Sequence, residues 1–173
     1  MNKSAVKSNL EGKKPNGLGS LGFAKFYKLA QNSFGVKKYS RAVDNCRLAV
    51  EMALRQNNLE QAAQAYRLWI ESLFELNKFP DIKKVCCDAR SKFGHDLSLL
   101  YFELKAAFLS NDHHIAAKLG REFMNAHDNT SFGSPALFKI TQEKLDEVNN
   151  YLVEIEKSGL GKPADSNLEQ FNE

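Results

Sequence analysis

Apolar residues along this chain recur at three- and four-residue steps, as in Phe23, Phe26, Tyr27, Ala30 and Phe34, or Tyr66, Trp69, Ile70, Leu73 and Phe74. That is the period of an amphipathic helix, not the two-residue alternation of a half-buried strand. The pattern predicts an all-α chain with seven helices near residues 22–35, 39–56, 59–77, 80–93, 97–110, 113–127 and 135–157. Short polar linkers at Asn57-Asn58, Asn77-Lys78, Gly94-His95 and Asn111-Asp112 place consecutive helices antiparallel to one another. Ser134 stands where it would cap the last helix, with Pro135 in the first turn.

The ends break the pattern. Residues 1–22 hold Lys3, Lys7, Lys13 and Lys14 against Glu11, with Pro15 and four glycines, and read as a flexible basic arm. Residues 158–173 carry Lys162 against Asp165, Glu169 and Glu173 and read as a disordered acidic tail. The domain between spans 23–157, with a capping helix at 135–157 whose Leu137, Ile140, Leu145, Val148, Leu152 and Ile155 trace one apolar stripe.

Within the domain the sequence repeats. Phe26, Leu29, Ala30 and Ser33, followed by Ala42 and Cys46, are matched by Tyr66, Trp69, Ile70 and Leu73, followed by Ile82 and Cys86. Tyr101, Leu104, Lys105 and Phe108, then Ala117 and Arg121, make a third copy, so that the steps are 40 and 35 residues. Tyr39, Phe79 and His114 open the second helix of each copy, and Ala49, Ala89 and Met124 close the units. This pattern resembles the tetratricopeptide repeat, which implies about three antiparallel helix pairs stacked as a right-handed solenoid. A plain helical bundle is the competing architecture.

In that family the first helix of each unit lines a concave groove. The resemblance places Ala24, Tyr27, Gln31 and Phe34 there from the first copy, Gln64, Arg67, Glu71 and Phe74 from the second, and Leu99, Phe102, Ala106 and Leu109 from the third. Such a groove is largely aromatic and aliphatic and implies an apolar peptide or partner helix as ligand, with Arg67 and Glu71 setting its orientation. The lysines and asparagines with which heat-shock co-chaperones of the family grip an acidic C-terminus are missing at these places; Arg67 alone could serve. The layout also looks like that of the translocator chaperones of type III secretion, to whose first repeat the stretch from Phe26 to Ala42 is similar, which implies a hydrophobic client.

Composition narrows the chemistry. The 173 residues carry a net charge of only +3, and basic Lys37, Lys38, Arg41, Lys83, Lys84, Arg90 and Lys92 are interspersed with acids, which argues against a nucleic-acid binder and leaves RNA as a minority reading. No run is apolar and long enough for membrane insertion, and no secretory leader is evident, so a cytoplasmic protein is expected. Cys46, Cys86 and Cys87 lack CxxC spacing and read as small core residues. Adjacent His113 and His114 point about 100° apart on a helix and are poorly placed to share a metal. No P-loop, GxGxxG or GxSxG occurs, and neither cofactor nor metal is expected. The sequence thus points to a non-enzymatic adaptor or scaffold that binds another protein. An enzyme with a pocket around Cys87 and a histidine, and self-assembly through the capping helix, homodimer included, are the competing classes.

Overall fold

The computed structural model describes residues 17–94, 96–128 and 139–160. Among them are seven helices and no strand: α1 Gly17–Gly35, α2 Tyr39–Arg55, α3 Leu59–Glu75, α4 Phe79–Phe93, α5 Leu97–Leu109, α6 His113–Asp128 and α7 Gln142–Ser158. Each helix packs on the next except where α6 and α7 are joined through residues outside the description, and there too the two helices touch. In addition α1 meets α3 and α5 meets α7, while Phe74 of α3 and Phe102 of α5 bring their rings to 6.0 Å. The odd-numbered helices therefore form one layer and the even-numbered helices the other, an arrangement consistent with a helical repeat. None of these helices is long and apolar enough to cross a membrane.

Four of the inter-helix turns share one geometry. Lys37, Asn57, Asn77 and Asn111 all adopt left-handed backbone, with φ of 58°, 54°, 53° and 60°. In each turn this residue donates its N–H to the carbonyl three back, and the following residue donates to the carbonyl five back. The second kind of bond runs from Lys38 to Ser33, Asn58 to Ala53, Lys78 to Leu73 and Asp112 to Ala107, at 2.8–3.0 Å. This double closure satisfies carbonyls that a helix end would leave orphaned and turns the chain back on itself. Three of the turns also carry a ring-to-ring clasp: Phe34 on Tyr39 at 5.3 Å, Phe74 on Phe79 at 6.4 Å and Phe108 on His113 at 5.7 Å.

The clasped turns fix the repeat interval at 40 and then 34 residues, from Lys37 to Asn77 to Asn111. Burial obeys the same steps. In α3, Ala62, Ala65, Tyr66, Leu68, Ile70 and Ser72 are buried; 34 residues on, so are Asp96, Leu99, Leu100, Phe102, Leu104 and Ala106. In the even layer Ala42, Cys46 and Ala49 match Ile82, Cys86 and Ala89, then Ala116, Gly120 and Phe123, all buried. The second sequence step of 35 is thus one residue too long. Leu100, not Tyr101, is the counterpart of Phe26 and Tyr66, and His113, not His114, opens the second helix of the third pair. Arg121, matched to Cys86 by the longer step, is exposed. One residue is about 100° of helix rotation, so the slip exchanges core for surface.

Two boundaries differ from expectation. Helix α1 begins at Gly17, inside the segment read as an arm, because packing against α2, the most extensive of any helix pair, outweighs the low helix propensity of Gly17, Gly19 and Gly22. Residues 1–16 lie outside the description. The last helix starts at Gln142 instead of 135: Lys139–Thr141 are non-helical and Thr141 takes the cap position with extended backbone. Ile140 before that cap and Leu145 four residues after it both pack on the core, which anchors the entry of the chain. Ser134 and Pro135 fall outside the description, as does the tail from 161.

Three of the four left-handed positions are Asn, whose short polar side chain tolerates this backbone; the fourth is Lys37. Lys37→Gly is expected to stabilise the fold by about 0.5–1 kcal/mol, the relief of strain being partly offset by a freer unfolded chain. Urea unfolding of the two proteins measures the difference.

Candidate partner-binding face

The turn-based steps redraw the inner row of the odd layer. Tyr27, Gln31 and Phe34 of α1 correspond to Arg67, Glu71 and Phe74 of α3, and these to Tyr101, Lys105 and Phe108 of α5. Gln64 corresponds to Ser98. The expected third-copy lining of Leu99, Phe102 and Ala106 is core instead, at 0%, 5% and 4% exposure. Helix α5 is apolar nearly all round, and a helix of that kind is enclosed by its neighbours. Asp96 caps it, accepting the N–H groups of Ser98 at 2.7 Å and Leu99 at 3.3 Å. Leu109 is exposed but corresponds to Glu75, beside the row and not in it.

On α1 and α3 the row is open and mostly polar. Gln31, Gln64 and Arg67 are exposed. Tyr27 is half-buried, stacked on Phe23 at 5.2 Å, and it raises its hydroxyl pKa through burial and the neighbouring Glu71 carboxylate, despite Arg67 and a hydrogen bond with Gln31. Arg67 donates from Nε to Glu71 at 2.9 Å. With both side chains substantially exposed, this pair contributes only about 0.3–0.5 kcal/mol. A ligand carboxylate could therefore displace Glu71 from Arg67 at small cost. Phe34 and Phe74 are half-buried in their turn clasps, so the aromatic groove expected from sequence is largely consumed in holding the helix pairs together.

On α5 the row is covered by α7. Glu147 accepts hydrogen bonds from the hydroxyls of Tyr101 and Tyr151 and an ion pair from Lys105 Nζ at 2.8 Å. The Tyr151 ring stacks on Phe108 at 4.1 Å, and Lys144 Nζ lies 5.0 Å from the Tyr101 ring centroid. Burial raises the Glu147 pKa, but the Lys105 ammonium and the two hydroxyls outweigh it and hold the carboxyl below its usual value. Both tyrosine hydroxyls are pushed up, by burial first and then by this carboxylate. On the other side of α7, Leu152 packs against Gly120 so closely that a Cβ there would meet its Cδ2 at 2.7 Å. None of Tyr101, Lys105, Phe108, Glu147 and Tyr151 was singled out for the face by sequence. The Phe–ring spacing across the Lys37, Asn77 and Asn111 turns was the available clue.

The cysteines divide. Cys46 and Cys86 are buried, as expected; burial pushes the Cys46 thiol up to about 12 and Cys86 up as well. Cys87 is exposed, which corrects its reading as a core residue. His113 is half-buried, edge-on to Phe108, whereas His114 is exposed; His95 lies outside the description. No group of three metal-ligating side chains occurs among the described residues. No family model, curated protein or solved structure matches the chain.

The Glu147 hub makes α7 docking acid-sensitive. A carboxyl whose pKa is depressed by folding contributes stability above its unfolded value and loses it as pH falls through the folded one. Stability of the wild type should drop as pH falls through and below the ordinary glutamate range, and Glu147→Gln should flatten that part of the profile, as read by thermal unfolding across pH. Gly120→Leu should displace Leu152 and cost about 1–3 kcal/mol, visible as a lowered melting temperature.

Proposed function

We propose that the protein is a tetratricopeptide-like adaptor, a right-handed stack of helix pairs whose odd-numbered face holds a helical segment of another protein along α1 and α3. The 34-residue step between the second and third pairs is the length of a tetratricopeptide unit, which supports the family reading. The observation that carries the binding proposal is the seat of α7: the row on α5 receives a helix through one glutamate and, one turn later, one tyrosine. The corresponding rows on α1 and α3 offer Tyr27, Gln31, Arg67 and Glu71 with no helix over them among the described residues. Their polar character favours an amphipathic partner helix with acidic and aromatic positions over the greasy client of a secretion chaperone. Arg67 would orient it by exchanging Glu71 for a partner carboxylate.

The test is affinity capture with the full chain and with an Arg67→Glu, Gln64→Glu variant, followed by titration of the captured partner in purified form. The variant should bind at least about tenfold more weakly, as loss of a charge-assisted contact at an interface centre does, with unchanged helical circular dichroism. Equal affinity of the two forms would remove this face from the function.

A further inference from the structure

Charge is spread unevenly along the stack. The first helix pair, residues 17–55, carries seven cations against Asp44 and Glu51. The second, residues 59–93, is nearly balanced with six cations to five acids, while residues 96–128 of the third hold three cations to five acids and α7 two to five. The two clefts of the even layer are mixed in sign as well: Lys78 and Lys84 stand with Asp81 and Asp88 between α2 and α4, and Lys83 with Glu103 and Asp112 between α4 and α6. Six of the seven cations of the first pair, Lys25, Lys28, Lys37, Lys38, Arg41 and Arg47, are exposed and make no ion pair among the described residues. Arg55, the seventh, holds Glu51, which leaves Asp44 alone to oppose the six.

These six do not share a plane. Tyr27, Ala30 and Phe34 pack toward Leu68 and Trp69 of α3, so Lys25 and Lys28 occupy the side of α1 turned away from that helix. Lys37 and Lys38 form the turn, and Arg41 and Arg47, six residues apart, stand about 120° from each other round α2. Apolar surface is scarce beside them: Val36 is the one large apolar side chain fully exposed among the described residues of the pair. Phe23, Phe26, Tyr27, Phe34 and Tyr39 are all buried or half-buried.

We propose that the first helix pair binds the phosphate backbone of a nucleic acid without reading its sequence. A protein partner would look for an apolar centre, which this surface lacks. Cations with little apolar area between them are the composition of a protein–nucleic acid contact, and Arg41 and Arg47 add planar forks that match phosphate oxygens. A flat bilayer could meet one side of the pair at a time, whereas a polyanion can follow the cations round it. With no fully exposed ring on the pair to stack on a base, the contact rests with the phosphates, a chemistry that duplex and single strand share. Residues 1–16, which lead into α1, hold four lysines against Glu11 and add to the same sign. The acidic α7 stands at the other end of the stack, so the field of the whole chain turns the first pair toward a polyanion. Arg67 and Glu71 lie outside this pair, which leaves the proposed protein-binding row on α3 separate from it.

The test follows fluorescence anisotropy of a labelled DNA duplex and of a labelled single-stranded RNA, both of mixed sequence, against the full chain at several salt concentrations. On duplex the logarithm of affinity should fall with the logarithm of salt at a slope of roughly −4 to −5, the value for about five phosphates. Lys25→Glu, Lys28→Glu and, separately, Lys37→Glu, Lys38→Glu should each weaken binding at least about tenfold and flatten the slope by roughly 2, with unchanged circular dichroism. Lys83→Glu, Lys84→Glu in the second pair should stay within about threefold of the wild type, since screening confines the effect to nearby charge. Arg67→Glu, Gln64→Glu should still bind nucleic acid. Binding of one probe and not the other supports the proposal and names the source of the phosphates. No binding of either probe at the lowest salt, an affinity indifferent to salt, or an equal loss on reversing Lys83 and Lys84 would overturn it. Capture by phosphatidylserine vesicles with neither probe bound would also overturn it and give the patch to a lipid surface.

Discussion

A helix can be followed by an antiparallel neighbour after three residues only if its last carbonyls are satisfied while the chain reverses, and a left-handed residue with two back-reaching hydrogen bonds does both. This turn occurs at Lys37, Asn57, Asn77 and Asn111, between helices within a pair and between pairs. Because the same closure joins α1 to α2, α2 to α3, α3 to α4 and α5 to α6, it sets the rotation at which each of these helices leaves its turn. The rotation in turn decides which side chains are core. Phe34, Phe74 and Phe108 sit at one place relative to the left-handed residue, and each meets the ring that opens the following helix. The α4–α5 connection departs from the rule: Gly94 at φ 74° and the buried cap Asp96 replace the Asn turn there.

From that constraint follows the division of the surface. The odd layer brings its helices into contact, and α7 continues it beyond α5 through Glu147 and Tyr151, so that among the described residues its row of side chains is covered on α5 and not on α1 and α3. The even layer holds its helices further apart and leaves recesses over α3 and α5. A polar open row and an apolar recess thus lie on opposite faces of one stack.

The helices were legible because their apolar stripes run for many residues, and five of the seven begin and end within two positions of the sequence reading. The rotation of α5 was not. Aligning Tyr66 with Tyr101 matches like with like, but the packing site tolerates Leu100 in place of Tyr66, and shape at such a site is filled by any residue of suitable volume. The resulting slip of one residue accounts for every misplacement in the third pair: Leu99 and Phe102 drawn to the face, Arg121 drawn to the core, His114 exchanged for His113. Asn77 and Asn111 carry the correct interval of 34 residues, since left-handed backbone restricts residue type more severely than core packing does. Cys87 lies about 100° round α4 from the buried Cys86, on the side of the helix that faces solvent.

The α2–α4 and α4–α6 clefts descend from one geometry, yet Lys78 on the first is Asp112 on the second and Trp69 is Glu103. Neither change disturbs the turn, because Lys78 and Asp112 close it through their backbone N–H and Trp69 and Glu103 lie within helices away from it. Residues that the fold leaves free are those in which charge can invert from one unit to the next. Two equivalent places on the molecule thus differ in charge and in floor without any change in the turns that present them.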